Sequence, residues 1–581
     1  MRDRTSPSQP LTGQSHTAIV ATLFVTKSLV TRSMFFKLSL GLITALTVTA
    51  SLGTQDALAQ VRIPVAAIED TAAIDSLLEE GRQLELDRKW GAALTHYEDA
   101  SRTHPSRTEF KRRLTVSRIH FDLARRYADS SYIRLLTGLS EQSAMDLYGE
   151  VLLKVYSHYV STPNWQQLVR QGTNHLDIAM AEPSFLQAHL PNATTEQLTE
   201  FRREIHRYMD WREIRSRQDA RDAVALAGRL AAQRLQLAPT IVIIEYACGA
   251  AAALDDYSTY LTPTQLDDVY SQIEGNFVGL GIELKADDDG LLIVNVLSNS
   301  PAEQGGIRAG DRIVEVDGQP TDKVSTDRAA DMLKGDEGSM VELVVRGADE
   351  ALRRLQLRRQ RVDVPSVEDI QMIDEANGIG YFQLSSFQKT TSQDVDDALW
   401  KLHRAGMRSL VVDVRGNPGG LLTAAVEVSD KFVMDGTLVS TRGRSPREDF
   451  DYKAHRVGTW RVPLVVLVDK DSASASEIFA GAIRDHNRGK VVGTRSYGKG
   501  SVQGIFPLNV ANVGVRLTTA KFYTPNGQPI SKQGVTPDVV VQIVAKPLDG
   551  SIPTAADLRE DPVVKAGLQV ARQQVAQRPG S

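Results

Sequence analysis

The chain has one cysteine among 581 residues, few aromatic residues and no excess of charge of one sign. The lone Cys248 excludes an internal disulfide, and its apolar neighbours predict a buried side chain rather than a reactive thiol. Lys and Arg number 67 against 72 acidic residues, and no basic face indicates a nucleic-acid partner. His, Asp, Glu and Cys show no metal-ligand spacing, and no phosphate-binding loop is present. The sequence therefore predicts neither a metal site nor a cofactor.

A secretory signal pattern begins at Met34. Met-Phe-Phe-Lys is followed by an apolar run from Leu38 to Leu52 and then by the small-residue sequence Ala57-Leu58-Ala59. This order predicts that translation starts at Met34, that cleavage follows Ala59, and that residues 1–59 are an extension plus signal peptide. The mature protein is then exported, to the periplasm or another extracytoplasmic space. The alternative is an uncleaved anchor that keeps the protein near a membrane, although the run is short for a bilayer span.

The length of the chain predicts three or four compact units, and the first half is helical in pattern. Residues 60–135 are expected to be helical and tetratricopeptide-like, because five residues fall at the spacing of that repeat: Gly81, Ala93, Tyr97, Ala100 and Pro105. An ordinary helical hairpin is the alternative, since one such repeat cannot bury its own face. Helical periodicity continues through residues 136–265, where the segment at about 181–250 has the character of an insertion.

The second half changes to short β-rich runs and then to alternating strands and helices. Residues 266–362 are expected to form a small β-rich domain, in which Asp317-Gly318 signals a hairpin turn. Residues 363–545 predict an α/β domain with strands buried on both faces, and residues 546–581 are expected to be a C-terminal tail. The predicted fold class is therefore multidomain α+β.

A glycine-rich segment near the start of the β-rich domain is a candidate peptide-binding element. Its residues are Phe277, Val278, Gly279, Leu280, Gly281 and Ile282, and Ser300-Pro301-Ala302 and Gly310-Asp311 follow downstream. This pattern resembles PDZ domains of bacterial proteases. Backbone N–H groups in such a loop hold a terminal carboxylate, while the next strand edge pairs with an extended peptide. The expected partners are proteins or peptides bound by their C-terminal tails. A simple turn is the alternative interpretation of the two glycines.

Three further motifs carry the candidate chemistry. They are Asp413-Val414-Arg415-Gly416-Asn417-Pro418-Gly419-Gly420, Asp471-Ser472-Ala473-Ser474-Ala475-Ser476-Glu477 and Tyr497-Gly498-Lys499-Gly500-Ser501-Val502-Gln503. Together they resemble the carboxyl-terminal processing peptidases, or tail-specific proteases, over roughly half the chain. The resemblance implies a crotonase-like α/β serine protease domain preceded by a helical protease region at 136–265. It also implies Ser474 as nucleophile, Lys499 as base, Gln503 as the group that orients the lysine, and N–H groups of Gly420 and Ala475 as the oxyanion hole.

The proposed base makes chemical sense from the residues alone. A serine hydroxyl needs a neighbouring base, and His486 lies twelve positions along the same predicted helix, about 18 Å from Ser474. Lys499 lies in a loop with apolar residues after it, and desolvation of its ammonium would bring its pKa toward neutrality. Gln503 can hydrogen-bond the lysine without adding a charge.

Each motif also has a local explanation. Ser474 and Glu477 fit a helix capping box, Lys499 fits a solvated loop, and the Asn-Pro-Gly-Gly segment fits a turn. Asp471 stands where the family commonly has glycine, and Asp485 is interpreted as structural. The competing functions are a non-catalytic PDZ scaffold with a vestigial protease domain and, at the level of fold alone, acyl-CoA chemistry.

Overall fold

The structure is a computed structural model that describes residues 19–20, 71–287, 290–322, 324, 326–542 and 555–577. The chain divides into two compact units, residues 27–125 and residues 1–26 with 126–581. The predicted signal peptide from Met34 to Ala59 lies outside the described residues. Within the described residues, no helix is both long and apolar enough to cross a membrane.

The smaller unit is built from helices in antiparallel sequence order. They are α1 (Thr71–Leu86), α2 (Trp90–Thr103) and the greater part of α3 (Thr108–Ala128). Gly81 of α1 lies against the ring of Tyr97 of α2, where a Cβ on the glycine would come within 2.4 Å of ring atoms. This close approach packs the first two helices together, in agreement with both the tetratricopeptide-like and the plain hairpin interpretation.

Seven helices begin the larger unit, as the periodicity of residues 136–265 predicts. They are α4 (Ser130–Gly138), α5 (Glu141–His158), α6 (Trp165–Ala179), α7 (Pro183–His189), α8 (Thr195–Asp210), α9 (Arg217–Leu235) and α10 (Pro239–Ala252). The central helix is α10, which is buried over nearly its whole length and carries Cys248, 3% exposed. The prediction of a buried cysteine is therefore confirmed.

A buried carboxylate ties these helices together. Glu245 of α10 accepts hydrogen bonds from Arg126 at 2.8 Å and from Tyr132 at 2.9 Å, and it lies 3.2 Å from His175. Burial alone would raise the pKa of Glu245, but Arg126 and His175 lower it to about 2. The ionised carboxylate is paired, as a buried charge must be.

The β-rich domain is a five-strand antiparallel sheet with two short helices. Its elements, after β2 (Thr259–Leu261), α11 (Pro263–Glu274) and β3 (Asn276–Gly279), are β4 (Ile282–Asp287), β5 (Gly290–Val296), α12 (Pro301–Gln304), β6 (Arg312–Val316), β7 (Gln319–Pro320), α13 (Thr326–Leu333), β8 (Met340–Arg346) and β9 (Leu352–Arg358). The sheet order is β4-β5-β6-β8-β9, with β7 attached to β6. Asp317 and Gly318 both have positive φ, at 46° and 77°, so the predicted hairpin turn is confirmed.

The α/β domain is centred on a largely parallel sheet. Its elements are β10 (Gln360–Asp363), β11 (Val367–Asp374), β12 (Ile379–Leu384), α14 (Thr391–Arg404), β13 (Ser409–Asp413), α15 (Leu422–Asp430), β14 (Thr437–Gly443), a 3₁₀ turn (Pro446–Glu448), β15 (Phe450–Lys453), β16 (Leu464–Val468), α16 (Ala475–Asp485), β17 (Lys490–Gly493), β18 (Ser501–Pro507), β19 (Gly514–Tyr523), β20 (Val539–Val540), α17 (Ala555–Glu560) and α18 (Pro562–Ala576). The sheet order is β11-β12-β13-β16-β17-β20, and the strands from β12 onward run parallel. The carboxyl ends of β13 and β16 therefore meet at one edge.

A second, antiparallel sheet completes the catalytic region. Its order is β1-β18-β19-β14-β15, where β1 is Ile19–Val20, and β2 also pairs with β19. The pairing of β2 brings the segment before residue 262 alongside strands that lie 250 residues later in sequence. The second sheet was not part of the sequence prediction, because its strands pair across long separations.

The expectation that residues 546–581 form a tail is wrong for the described part. The helix α18 packs on the parallel sheet, where Val563, Val564 and Leu568 are buried against residues of β13 and β16. Arg415 also contacts Asp561 at 2.9 Å. The apolar spacing along α18 is that of a helix with one buried face, which excludes a free tail.

Candidate active site

Ser474 lies where β16 passes into α16, at the carboxyl edge of the parallel sheet. Its backbone has φ 58° and ψ −111°, a conformation that a residue with a side chain adopts at a cost of about 1–3 kcal/mol. A serine on a strained turn between a strand and a helix is the arrangement of a nucleophile elbow. The side chain is fully buried, and its Oγ has no hydrogen-bond partner among the described residues.

Only half of the predicted capping box is used in the manner of a cap. Glu477 Oε2 accepts the backbone N–H of Ser474 at 2.8 Å, whereas Ser474 Oγ makes no capping bond. The hydroxyl is therefore not committed to the helix end. This distinguishes Ser474 from an ordinary N-cap serine, whose oxygen satisfies the first free N–H groups of its helix.

The loop after β13 lies directly beside the serine turn. The carbonyl of Asn417 accepts the N–H of Ala473 at 3.0 Å and the hydroxyl of Ser476 at 3.0 Å. Gly419 has φ 105°, and a Cβ there would lie 2.8 Å from Ser474 Cβ and 3.0 Å from the Ala475 nitrogen. Glycine at this position thus leaves space next to the nucleophile, a role that the sequence assigned to Gly420 alone.

Gly420 and Ala475, the predicted oxyanion-hole residues, are both placed near this loop. Gly420 has φ 145°, and a Cβ would come within 2.0 Å of the carbonyl oxygen of Phe387, so only glycine fits. Ala475 is the first residue of α16, where backbone N–H groups lack helical partners and the helix dipole favours negative charge. The structure places both residues as expected, and their role in stabilising an oxyanion stays a prediction.

The Asp413–Arg415 pair supports the loop from beneath. Asp413 is 2% exposed and accepts bonds from Arg415 Nη2 at 2.7 Å and from Tyr381 at 3.0 Å. Although burial opposes the charge, the bonds to Asp413 raise the pKa of Arg415. The pair fixes the start of the loop that carries Asn417 and Gly419, a contribution that the sequence did not assign.

Lys499 lies between β17 and β18 and is 1% exposed. Burial lowers the pKa of its amine well below the usual value, and the nearby positive charge of Arg516 lowers it further. The carboxylates of Glu477 and Asp255 act in the opposite direction. A buried lysine with a depressed pKa holds a neutral amine at lower pH than a solvated one, as a general base requires.

Glu477 connects the nucleophile with the base through their backbones. Its Oε2 accepts the N–H groups of Ser474 at 2.8 Å and of Lys499 at 2.9 Å. Its Oε1 accepts from the Gly498 N–H at 2.7 Å and from the Ser496 hydroxyl at 2.6 Å. Burial raises the pKa of this carboxyl, and the four donors counteract that effect. Sequence reasoning treated Glu477 as a local cap; its spacing to Ser474 was visible, but its bonds to the lysine loop were not.

Gln503 is fully buried on β18, close to the lysine in sequence. Its amide nitrogen donates to Ser501 Oγ at 2.9 Å and lies 3.4 Å from Thr518 Oγ1, while its Oε1 has no partner within the described chain. The predicted hydrogen bond from Lys499 to this oxygen is therefore not formed in this structure. Catalytic hydrogen bonds often tighten only when substrate binds, so the orienting role of Gln503 remains a prediction.

The remaining residues near the site behave as structural groups. His486 caps the far end of α16 and contacts the carbonyl of Thr437 at 2.8 Å, which leaves it out of the site. Asp485 pairs with Arg484 at 2.8 Å. Asp471 is exposed and has no positive φ, so the turn into Ser474 does not need the glycine that is common in the family.

The predicted carboxylate-binding segment is split by the structure. Phe277, Val278 and Gly279 lie in β3, which pairs with β10, so they belong to a two-stranded connection rather than to an open loop. Leu280 is 1% exposed in the core of the β-rich domain. The correction has a simple cause: the pairing partner of β3 lies more than 80 residues away in sequence.

Gly281 and Ile282 lie at the start of β4. Gly281 has φ 77°, and a Cβ would meet the side chain of Ser300 at 2.3 Å. Among the described strands β4 pairs only with β5, so its other edge is open to an added strand, and α13 lies beside it. An open strand edge next to a helix fits peptide binding by strand addition.

Comparison with known sequences finds relatives of both domains. The profile of peptidase family S41 matches residues 378–541, and that of the PDZ domain matches residues 271–346. A carboxy-terminal-processing protease of Bartonella bacilliformis is 37% identical over 302 residues, which cover 51% of this chain and 68% of that protein. A probable CtpA-like serine protease of Staphylococcus haemolyticus is 33% identical over 290 residues, covering 49% of this chain and 57% of that protein.

A solved structure named photosystem II D1 C-terminal processing protease is 27% identical, with 74% of this chain and 99% of that chain covered and a TM-score of 0.37. The family assignment rests on the sequence relatives. The S41 match runs from β12 to β20 and includes both Ser474 and Lys499, while the helices before residue 271 lie outside both matches. The chain therefore belongs to peptidase family S41, the carboxy-terminal-processing serine proteases, and carries a PDZ domain.

Proposed function

We propose that this serine protease cleaves protein substrates through an acyl-enzyme, with Ser474 as nucleophile and Lys499 as general base. The observation that carries the proposal is the Glu477 carboxyl, which holds the backbones of a strained serine and a buried lysine within one hydrogen-bonded unit. Strain at Ser474 keeps its hydroxyl clear of the helix, and desolvation keeps the Lys499 amine available for protons.

The neutral amine of Lys499 takes the proton of Ser474 Oγ as that oxygen attacks the scissile carbonyl. Negative charge then develops on the carbonyl oxygen, and the N–H groups of Gly420 and Ala475 donate to it. The lysine ammonium passes its proton to the leaving amine, which releases the first product. Water, deprotonated by the same lysine, hydrolyses the acyl-enzyme. In this scheme the Gln503 amide orients Nζ between the serine and the leaving group.

We further propose that the PDZ domain selects substrates by their C-terminal tails. The open edge of β4 offers main-chain groups to an extended peptide, and the amides near Leu280 and Gly281 are placed at the end of that edge, where a terminal carboxylate would lie. Binding a tail there raises the local concentration of the rest of the substrate near Ser474.

The tail hypothesis is tested with one protein substrate prepared with a free and with an amidated C-terminus. A charge-assisted hydrogen bond to the carboxylate is worth about 1.5–3 kcal/mol, so amidation is expected to lower kcat/KM by about 10- to 100-fold. Most of that change should appear in KM, measured from initial rates.

The control is a short peptide that spans the cleavage site but is too short to reach β4. Its cleavage should be indifferent to amidation. Equal rates for the two forms of the protein substrate would remove carboxylate capture from the account and leave the Ser474–Lys499 chemistry untouched.

We also propose that the protein is exported, with cleavage after Ala59. The support is the order of charged, apolar and small residues from Met34 onward. N-terminal sequencing of the mature protein should give Gln60 as the first residue, and a sequence beginning before Met34 would contradict both the start site and the cleavage site.

A further inference from the structure

The segment from Asp255 to Leu261 leads into β2 and lies against the lysine end of the site. Asp255 Oδ1 accepts the N–H groups of Tyr257 and Ser258, both at 2.8 Å. The carbonyl of Tyr257 accepts from Arg516 Nε at 3.0 Å, and Ser258 Oγ accepts the N–H of Thr518 at 3.2 Å. The backbone of Tyr257 is therefore held on both sides, by its own turn and by β19.

The ring of Tyr257 faces the amine of Lys499. Nζ lies 4.9 Å from the ring centroid, within the range of a cation–π contact. Three charged groups also act on this amine from the surrounding elements: Arg516 of β19, Glu477 of α16 and Asp255 of the turn before β2. Ser474 Oγ has no hydrogen-bond partner in the described chain, so Nζ is not bonded to the nucleophile in this arrangement.

We propose that Tyr257 is a positioning residue for the base, whose ring face binds the ammonium form of Lys499 in the resting enzyme. The proposal rests on the function proposed above for Lys499. A cation is attracted to the negative face of an aromatic ring, whereas a neutral amine gains little from the same contact. Loss of a proton therefore weakens the hold of Tyr257 on Nζ and frees the amine to bond Ser474 Oγ.

This arrangement couples the position of the lysine to its protonation. Burial and Arg516 disfavour the ammonium, and the ring acts with Glu477 and Asp255 to favour it. Weakening the ring contact should then make the neutral base available at lower pH. The expected sign is a shift of the acid limb of kcat/KM toward lower pH, since activity requires the deprotonated amine.

The test replaces Tyr257 in the full-length protein by phenylalanine and by phenylalanines with two and three ring fluorines. Fluorination weakens the negative face of the ring with little change in its shape. The phenylalanine enzyme should keep the acid limb of the parent within about 0.3 pH units, and the fluorinated series should move it down stepwise by about 0.5–1.5 pH units in all. A limb that does not move across the fluorinated series would overturn the proposal, as would a limb that shifts fully on removal of the hydroxyl.

Two controls separate this proposal from its neighbours. The same fluorinated series at Tyr208, an exposed residue of α8, should leave the pH profile unchanged. The Lys499→Met enzyme tests the base itself: if it keeps full activity, the assignment of Lys499 is wrong whatever Tyr257 does. If Lys499 is required and the limb is indifferent to fluorination, only the role of Tyr257 is wrong. Should any variant unfold, the loss appears as a lowered melting temperature, and the shift is then scored among the remaining members of the series.

Discussion

Replacing Lys499 by methionine is expected to lower kcat/KM by about 10³- to 10⁴-fold while the protein stays folded. Removal of a general base costs this much because Ser474 Oγ then attacks with its proton still bound. Methionine fills much of the lysine volume and needs no solvation, so the buried position should accept it. Initial rates on a protein substrate measure the loss, and thermal unfolding measures the fold.

The matched control is Lys521→Met, on an exposed position of β19, which should keep the parent rate. The pH profile adds a second criterion. Because burial lowers the pKa of Lys499 well below its usual value, the parent enzyme should reach its plateau of kcat/KM below pH 10.5, with activity rising as the amine loses its proton. Substantial hydrolysis by Lys499→Met, with an unchanged acid limb, would refute the base assignment.

Glu477→Gln is expected to lower kcat/KM by about 10- to 100-fold. The side chain keeps its shape, but one of its two ends becomes an NH₂ group that faces hydrogen-bond donors. Either the Ser474 and Lys499 amides or the Gly498 amide and Ser496 hydroxyl then lose their acceptor. Misplacement of a nucleophile by about 1 Å costs on the order of 10²-fold in rate, which sets the scale of the effect.

A stability measurement separates two contributions in this variant. Each orphaned buried donor costs about 1–3 kcal/mol, so the unfolding midpoint of Glu477→Gln should fall together with kcat. Glu427→Gln, on the exposed face of α15, provides the control and should change neither quantity. If Glu477→Gln retained the parent kcat, the carboxyl would be a helix cap alone, as the local interpretation of Ser474 and Glu477 has it.

The sequence predicted the parts of the site that depend on local pattern. The apolar run before Ser474 and the helix after it are visible in one window, and the exclusion of His486 needed only the length of a helix. Lys499 required more, because nothing local distinguishes a buried loop lysine from a solvated one. Its burial depends on residues of β2 and β19, which are distant in sequence.

The missed elements share that dependence on distant contacts. Tyr257 lies some 240 residues before Lys499 and reaches it only because β2 pairs with β19. Phe277 to Gly279 look like an open loop until β10 is known to pair with them. The helix α18 was the exception: its apolar spacing was readable, and the expectation of a tail overlooked a buried face of regular helical period.

The account centres on Ser474 as the residue that becomes acylated and Lys499 as the group that activates it. Mass spectrometry after reaction with a fluorophosphonate, in the parent and in Lys499→Met, tests this most directly when cleavage by Ser474→Ala is measured beside it. The account predicts a label on Ser474, labelling at least about 10³-fold slower at pH 7 in Lys499→Met, and no cleavage by Ser474→Ala. Cleavage that persists in Ser474→Ala, with the label on a different residue of the parent enzyme, would contradict it.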